Sequence, residues 1–438
     1  MSDDDDDAIQ ITRGGAIAVD TGVLRSVAAR LGPVALRVGD AADAAYRAHR
    51  WIVQTTGLSA GVDTVQLWAV ADRLTALRIR IDEVIYGTAL MSDAYELVEM
   101  RSEYEALQLS DAVAAEVLLG RIQDVEARDS RLGPMADCLI GGWEDARYEG
   151  LDGQFDLATT VTGQNFGALT SIVAGIGGST WFGRLPPGAK ASGDADPVHV
   201  RPVQTSRPVT SPASLADGLR RMPEADDAQI KVETYTFDDG SKHYVAYIKG
   251  TQSGLYGAGE PWDMKSNLEL YTGNMSASYQ ATIDALHLAG AQPGEPVDIY
   301  AHSQGGMVAS YLAMADDFDV RVVVTAGSPL EPSLRDDQLL IQLRHTDDLV
   351  NGLAGGGSAG GTGSENSLVV QRQGDPLPSI LDLVLEPHMM DNYIETAEMV
   401  DDSGDVRLGE YLDHLRELAA AVTVESTEYA ADRTGWSE

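Results

Sequence analysis

Pro296-Val297-Asp298-Ile299-Tyr300-Ala301-His302-Ser303-Gln304-Gly305-Gly306-Met307-Val308-Ala309-Ser310-Tyr311-Leu312-Ala313 is the stretch on which the reading of this chain turns. It opens with an apolar run rich in β-formers and closes with Ala, Met and Leu, which favour helix. Between the two lie small residues with a serine at their centre. A strand that turns sharply into a helix would hold that hydroxyl clear of a sheet and aim the first helical amides at negative charge developing beside it. The usual form of such a turn is Gly-x-Ser-x-Gly. Here Ala301 replaces the first glycine and Gly305 fills the second. Both positions must be small because strand and helix backbones cross closely, and one extra methyl can be accommodated. A serine that merely caps a helix would need none of these small neighbours.

A nucleophilic serine needs a base and an acid that orients it, and after this kind of turn they follow in the order Ser, Asp or Glu, His. Leu339-Leu340-Ile341-Gln342-Leu343 reads as a buried strand and runs into Arg344-His345-Thr346-Asp347-Asp348-Leu349-Val350. Two aspartates therefore sit at a strand's C-terminal edge, where ligand-side residues of open α/β sheets collect. Of the two later histidines, His388 lies in a loop before a helix, in Glu386-Pro387-His388-Met389-Met390-Asp391-Asn392-Tyr393, whereas His414 lies inside a late helical stretch. A loop can bring its side chain over the sheet edge, so His388 is the expected base. His345 precedes the acid and reads as a strand-end polar residue. His302 is expected to point to the opposite side and to pack.

Residues 211–422 resemble the α/β-hydrolase superfamily, in particular its lipase- and esterase-like serine hydrolases. The resemblance rests on His302-Ser303-Gln304-Gly305, on Asp348-Leu349-Val350 after a late strand, and on His388 before a late helix. It implies an α/β-hydrolase fold, a Ser303, Asp348, His388 triad with Asp347 as the alternative acid, and a small-molecule or lipid ester as substrate. Proline often follows the valine in that family; here Asn351 does. An oxyanion hole is expected from the amide of Gln304 and from one in the loop Lys249-Gly250-Thr251-Gln252-Ser253-Gly254. Thr251 is preferred there over Gln252. Acyl transfer or thioester cleavage would use the same residues. A third reading is a catalytically silent interaction protein whose helical region does the work.

With 31 Lys and Arg against 68 Asp and Glu, the net charge is −37 at pH 7. Such a surface repels phosphate backbones and anionic head groups, which argues against a nucleic-acid partner. The single cysteine, Cys138, excludes an intrachain disulfide and sits in a helical apolar stretch that reads as core. Paired cysteines, His-Glu-x-x-His and a phosphate-cradling Gly-x-x-x-x-Gly-Lys are absent, so no metal and no cofactor is expected. The acidic start, Met1 to Asp7, lacks the basic and apolar parts of a secretory signal. The expected location is cytoplasmic, or exported without a cleavable signal.

Between residues 20 and 150, Leu67, Val70, Ala71, Leu74, Leu77, Ile81, Val84 and Ile85 recur at helical spacing. Thr55 to Gly61 reads as the connection between long antiparallel helices. This region resembles the helical hairpin modules of type VII secretion substrates, with Tyr148-Glu149-Gly150-Leu151-Asp152 matching their Tyr-x-x-x-Asp tail signal. The resemblance implies a helical protein partner. It departs from the pattern in that Trp181-Phe182-Gly183 follows the tail signal instead of preceding it. Residues 157–183 carry no charge but include several glycines, and read as a packing segment instead of a membrane span; a peripheral lipid contact stays open. The expected organisation is an acidic disordered tail over 1–19, a helical domain over 20–183, a Pro-rich linker over 184–212 and a catalytic α/β-hydrolase domain over 213–438. Within the last, strands are expected at 230–235, 243–248, 296–300, 320–324 and 339–343, and a single helix at 267–288. The glycine-rich residues 352–363 read either as a mobile lid or rim of the site or as a disordered insertion.

Overall fold

A computed structural model of the 438-residue chain describes residues 9–12, 21–146, 183–207, 210–254, 256–257, 259–355, 362–375 and 386–434. The chain divides into two compact units, one comprising residues 19–101 and 118–139, the other residues 1–18, 102–117 and 140–438.

The first unit is helical, built from the greater part of four helices. Helix α1 (Thr21–Gln54) and helix α2 (Thr64–Ser110) are joined through a 3-10 turn at Leu58–Ala60. They run antiparallel, since Arg25 near the start of α1 pairs with Asp93 and Glu96 well along α2. Asp63 caps α2 by accepting from the Val65 and Gln66 amides. Ala28, Ala35 and Ala42 recur every seven residues on the buried seam of α1, and Ala71, Ala94 and Leu97 are buried on α2. Helices α3 (Ala112–Glu126) and α4 (Leu132–Ala146) follow, and Arg101 ties α2 to both through Glu126 and Asp137. Most of the apolar stripe expected as core is not fully buried: Ala71 is, but Val70, Leu77 and Val84 are exposed. Over its first half α2 has one narrow buried seam, and the rest of that stretch is exposed or half-buried. Cys138, on α4, is likewise exposed and not core. Residues 147–182, which hold the Tyr-x-x-x-Asp match and nearly all of the uncharged segment, lie outside the described residues. Among the described residues, no helix is long and apolar enough to cross a membrane.

The second unit is mixed α/β around a mostly parallel central sheet. Its strands are β1 (Gln10–Thr12), β2 (Arg184–Leu185), β3 (Val198–Ser206), β4 (Ile230–Thr236), β5 (Lys242–Ile248), β6 (Pro296–His302), β7 (Asp319–Ala326), β8 (Glu331–Pro332), β9 (Leu339–His345), β10 (Leu368–Arg372) and β11 (Thr423–Arg433). Nine of them form one sheet in the order β1-β10-β9-β7-β6-β5-β4-β11-β3. The five central strands from β10 to β5 are parallel to one another, and the pairs towards both margins are antiparallel. Every residue of β9 and β10 is buried, as expected for parallel strands covered on both faces.

The helices of this unit are α5 (Leu215–Leu219), α6 (Met264–Tyr271), α7 (Ala277–Ala289), α8 (Gln304–Met314), α9 (Met390–Asp402) and α10 (Leu408–Leu418). One apolar core places α7 and α8, through Ala281, Ala285, Val308 and Leu312, against one sheet face. The other places α5, α9 and α10, through Leu219, Ala397, Tyr411 and Leu415, against the opposite face.

Three sequence expectations need correction. Residues 184–212 are not a linker: β3 lies within them and pairs along its length with β11 at the sheet's edge. Only the partly buried Val198 and Val200 among its apolar side chains pack on the core, so a polar edge strand reads as a polar loop. The tail expected over 1–19 is ordered at Gln10–Thr12, which pairs with β10 at the other edge. The single helix expected at 267–288 is two, α6 and α7. The break contains Gly273 at φ 83°, and Ser276 caps α7 by accepting from the Tyr279 amide.

Candidate active site

Four successive parallel strands end on the same edge, and each delivers one part of the site just beyond its last residue. Thr251 follows β5, Ser303 follows β6, Gly327 follows β7 and Asp348 follows β9. This is the edge at which parallel α/β sheets bind their ligands. His388 arrives separately, at the end of the 3-10 turn Glu386–His388 immediately before α9.

Ser303 has φ 53° and ψ −120° and is the only non-glycine residue with positive φ among the described residues. The turn is fixed on one side by its own amide, which donates to the Ala326 carbonyl at the end of β7 (2.9 Å). On the other side it is fixed by close packing: a Cβ on Gly305 would stand 2.5 Å from the Ile248 carbonyl oxygen. Backbone strain at a side chain so placed marks a site where position matters more than local stability. Ala301, at the variant position, is a fully buried strand residue.

The three side chains expected to act together are in contact. Ser303 Oγ is 2.8 Å from His388 Nε2, and His388 Nδ1 is 2.7 Å from Asp348 Oδ2. All three are buried. Burial alone would raise the Asp348 pKa; the charge and hydrogen bond of His388, with donors from Tyr393 and the Val350 amide, outweigh it and hold the carboxyl below its usual range. Asp347, the alternative acid, does not reach His388. It accepts from the Gly374 and Asp375 amides (2.8 and 2.9 Å), and its burial pushes its pKa up.

Thr251 lines the same cavity as Ser303. Its hydroxyl is held by Asn267 Nδ2 at 3.0 Å, and among the described residues its amide has no hydrogen-bond partner. The neighbouring Gln252 amide donates to the Trp262 carbonyl (2.8 Å), which leaves Thr251 as the free donor of the pair. Gln304 begins α8, so its amide belongs to the unpaired first turn of a helix. Its buried side chain donates to the Asp263 carbonyl at 3.1 Å. Asp263 in turn caps α6 and is clamped by both terminal nitrogens of the fully buried Arg433 at 2.9 Å.

Tyr393 and Gly327 were not identified from sequence. Tyr393, on α9, donates to Asp348 Oδ2 at 2.7 Å, beside the His388 bond. Its burial and the adjacent carboxylate keep the phenol well above its ordinary pKa, so it stays a donor. Gly327 has φ 61°, and a Cβ there would stand 2.9 Å from the His388 ring. His302 departs from expectation. It lies beside His388, with ring centroids 4.9 Å apart, its Nε2 is 2.8 Å from the His388 carbonyl oxygen, and it lines the cavity. The reversal at Ser303 brings the end of β6 under the loop that carries His388. His345 is fully buried and stacks on Tyr393 at 3.9 Å, off the serine. His414 is also away from it, on α10 against Asp298.

The cavity over Ser303 and His388 measures about 630 Å³. Its walls are largely apolar and include Met222, Met264, Met307, Met389 and Met390. Leu353 on the 3-10 turn Asn351–Ala354 forms part of the rim, held by the Tyr271 hydroxyl through its carbonyl (2.7 Å). Residues 356–361 of the glycine-rich segment lie outside the described residues.

A family model described as Mbeg1-like matches residues 212–329. The match takes in Thr251, Ser303 and Gly327 and stops before Asp348 and His388. No curated protein and no solved structure matched the chain.

Proposed function

We propose that this protein is a serine hydrolase of the α/β-hydrolase type that cleaves carboxylic esters through an acyl-serine intermediate. The observation that carries the reading is the continuous hydrogen-bonded chain Ser303–His388–Asp348 at the end of a strained strand-to-helix turn. In the first half-reaction Ser303 Oγ bonds to the ester carbonyl carbon while His388 Nε2 takes its proton. The oxyanion that forms is met by the Gln304 and Thr251 amides. The ester C–O bond then breaks, and the proton on His388 passes to the departing alkoxide. In the second, water attacks the acyl-serine, His388 takes one of its protons, and the acid leaves as Oγ recovers that proton. Asp348 holds the ring in the Nδ1–H tautomer and stabilises the imidazolium in both halves.

The cavity supports an apolar acyl group. Five unbranched thioether side chains make a wall that adapts to chain shape. An acyl transferase or thioesterase would use the same atoms, so the acceptor and leaving group have to be tested directly.

The test is a panel of p-nitrophenyl esters and acyl thioesters graded by acyl length, assayed with and without an acceptor alcohol. The expected result is hydrolysis that rises with acyl length before falling, and that drops on the order of a million-fold in Ser303→Ala. Faster turnover of thioesters, or ester product in place of free acid when alcohol is present, would move the assignment to thioester cleavage or acyl transfer. No turnover of any member would favour the silent interaction protein.

A further inference from the structure

Near the N-terminal edge of the same parallel strands, three side chains converge that the serine site does not use. His243 is the second residue of β5, Asp298 the third of β6, and His414 lies in the middle of α10. His414 Nε2 is 2.6 Å from Asp298 Oδ2, and His243 Nε2 is 2.9 Å from the same oxygen. The three donor atoms all lie within 4.8 Å of one another. His243 and Asp298 are buried, 5% and 1% exposed, while the His414 side chain keeps 14% of its surface. Asp298 precedes Ser303 by five residues of extended chain, roughly 16 Å along the strand, so this cluster is a separate place.

Two features set it apart from an ordinary His–Asp pair. First, one carboxylate oxygen faces two imidazole nitrogens, and its contact with His243 is close but poorly aligned for a hydrogen bond. The His414 bond is well formed, but the buried His243 Nε2 has no aligned hydrogen-bond partner among the described residues despite its 2.9 Å approach. A buried polar atom left this way is costly. A cation set between the three groups would instead accept a lone pair from each. Second, the donor set and spacing suit such an ion. Two neutral imidazoles and a carboxylate are the nitrogen–oxygen set favoured by Zn²⁺ and its neighbours. Bonds of about 2.0–2.1 Å in a tetrahedron place donors about 3.3 Å apart, so the two short separations would open by about 0.4–0.7 Å while the two imidazole nitrogens, within 4.8 Å of each other, draw together. Asp298 Oδ1 accepts from the Val322 amide at 3.2 Å, which fixes the carboxylate's orientation as an outer partner does in metal sites. The nearby Arg321 is engaged by Asp319 at 2.9 Å, and Glu417 on α10 offsets it.

We propose that His243, Asp298 and His414 form a binding site for a divalent transition-metal cation of the Zn²⁺ type, open to water on the His414 side. Bound there, the ion pins α10 to the sheet edge at β5 and β6. The proposal does not depend on the reading of Ser303.

The test is calorimetric titration of chelator-stripped, tag-free full-length protein with Zn²⁺ alone, with melting temperatures measured alongside. The expected result is one equivalent bound per chain and a higher melting temperature with Zn²⁺ present. His414→Ala, at the least buried ligand, is expected to weaken binding at least ~100-fold, and His243→Ala to do the same. Ser303→Ala should bind as wild type does, as should a variant with Asp3 to Asp7 replaced by serine. The proposal is overturned if wild type takes up no Zn²⁺, if well-folded His414→Ala and His243→Ala bind as tightly as wild type, or if uptake disappears with the N-terminal aspartates.

Discussion

Ser303 is held at φ 53° because neighbours on both sides leave it no relaxed alternative, and two unassigned residues hold its partners with similar economy. Tyr393 donates to the oxygen of Asp348 that His388 also uses. Tyr393→Phe should lower kcat about tenfold with little change in KM, because the phenol orients the acid without touching the cavity wall. A change confined to KM would remove Tyr393 from that role. Gly327→Ala places a methyl against the His388 ring at a backbone angle alanine tolerates poorly. It should abolish most turnover and lower stability by about 1–3 kcal/mol; wild-type kinetics would show that the ring has room to move. The residues of the chain Ser303, Asp348 and His388 were legible in the sequence because each sits beside a strand or helix signal and their order is constrained. Tyr393 was not, since a helical tyrosine at core spacing looks like any packed aromatic. The placement of His302 is not legible, because alternation along β6 stops being a guide where the backbone reverses.

At the scale of elements, the loop that carries His388 is anchored by His345 at the end of β9. His345 Nδ1 is 2.5 Å from the Pro387 carbonyl oxygen and Nε2 is 2.7 Å from the Thr396 hydroxyl. A neutral ring donates from Nδ1 to the Pro387 carbonyl and accepts at Nε2 when the Thr396 hydroxyl turns towards it from its other acceptor, the Asn392 carbonyl at 3.0 Å. Burial, only partly offset by the Pro387 carbonyl, pushes the His345 pKa down to about 4. In the unfolded chain it would titrate near 6.5. Between those values the unfolded chain binds more protons, so this histidine makes stability rise with pH from about 4 to about 6.5 and level off above. The loss on acidification is about 3 kcal/mol at this one site. Urea unfolding of wild type and His345→Gln across pH 4.5 to 7 checks this. The variant should show a flatter dependence, and parallel curves would contradict it. The central strands β4 to β7 and β9 were legible as apolar runs bounded by turns. Strand β3 was not, because an edge strand needs few apolar residues. Strand β11 was missed too: it supplies the buried Arg433 that clamps Asp263, and its Thr, Glu and Ser content masks the alternation.

The whole molecule carries a net charge of −37. Like charges spread over one chain favour expansion, and added salt screens them, the Debye length falling to about 10 Å at 0.1 M. The melting temperature should therefore rise between about 20 mM and 300 mM NaCl, beyond which screening adds little; a fall over that range would mean that exposed ion pairs such as Lys190–Asp316, which salt also screens, outweigh the global repulsion. The division into a helical part and an α/β part was legible from the change of periodicity. The continuity of the sheet unit was not. Strand β1 precedes the helices and β2 follows them, so the pairing of β1 with β10 joins residues more than three hundred positions apart, a relation no local pattern encodes. The central claim, that Ser303 is an activated nucleophile, is tested most directly by labelling the folded protein with a fluorophosphonate probe and mapping the modified peptide. The account predicts one adduct on Ser303 in wild type and none in Ser303→Ala or His388→Ala. A folded wild-type protein that stays unlabelled, or a label on another residue, would contradict it.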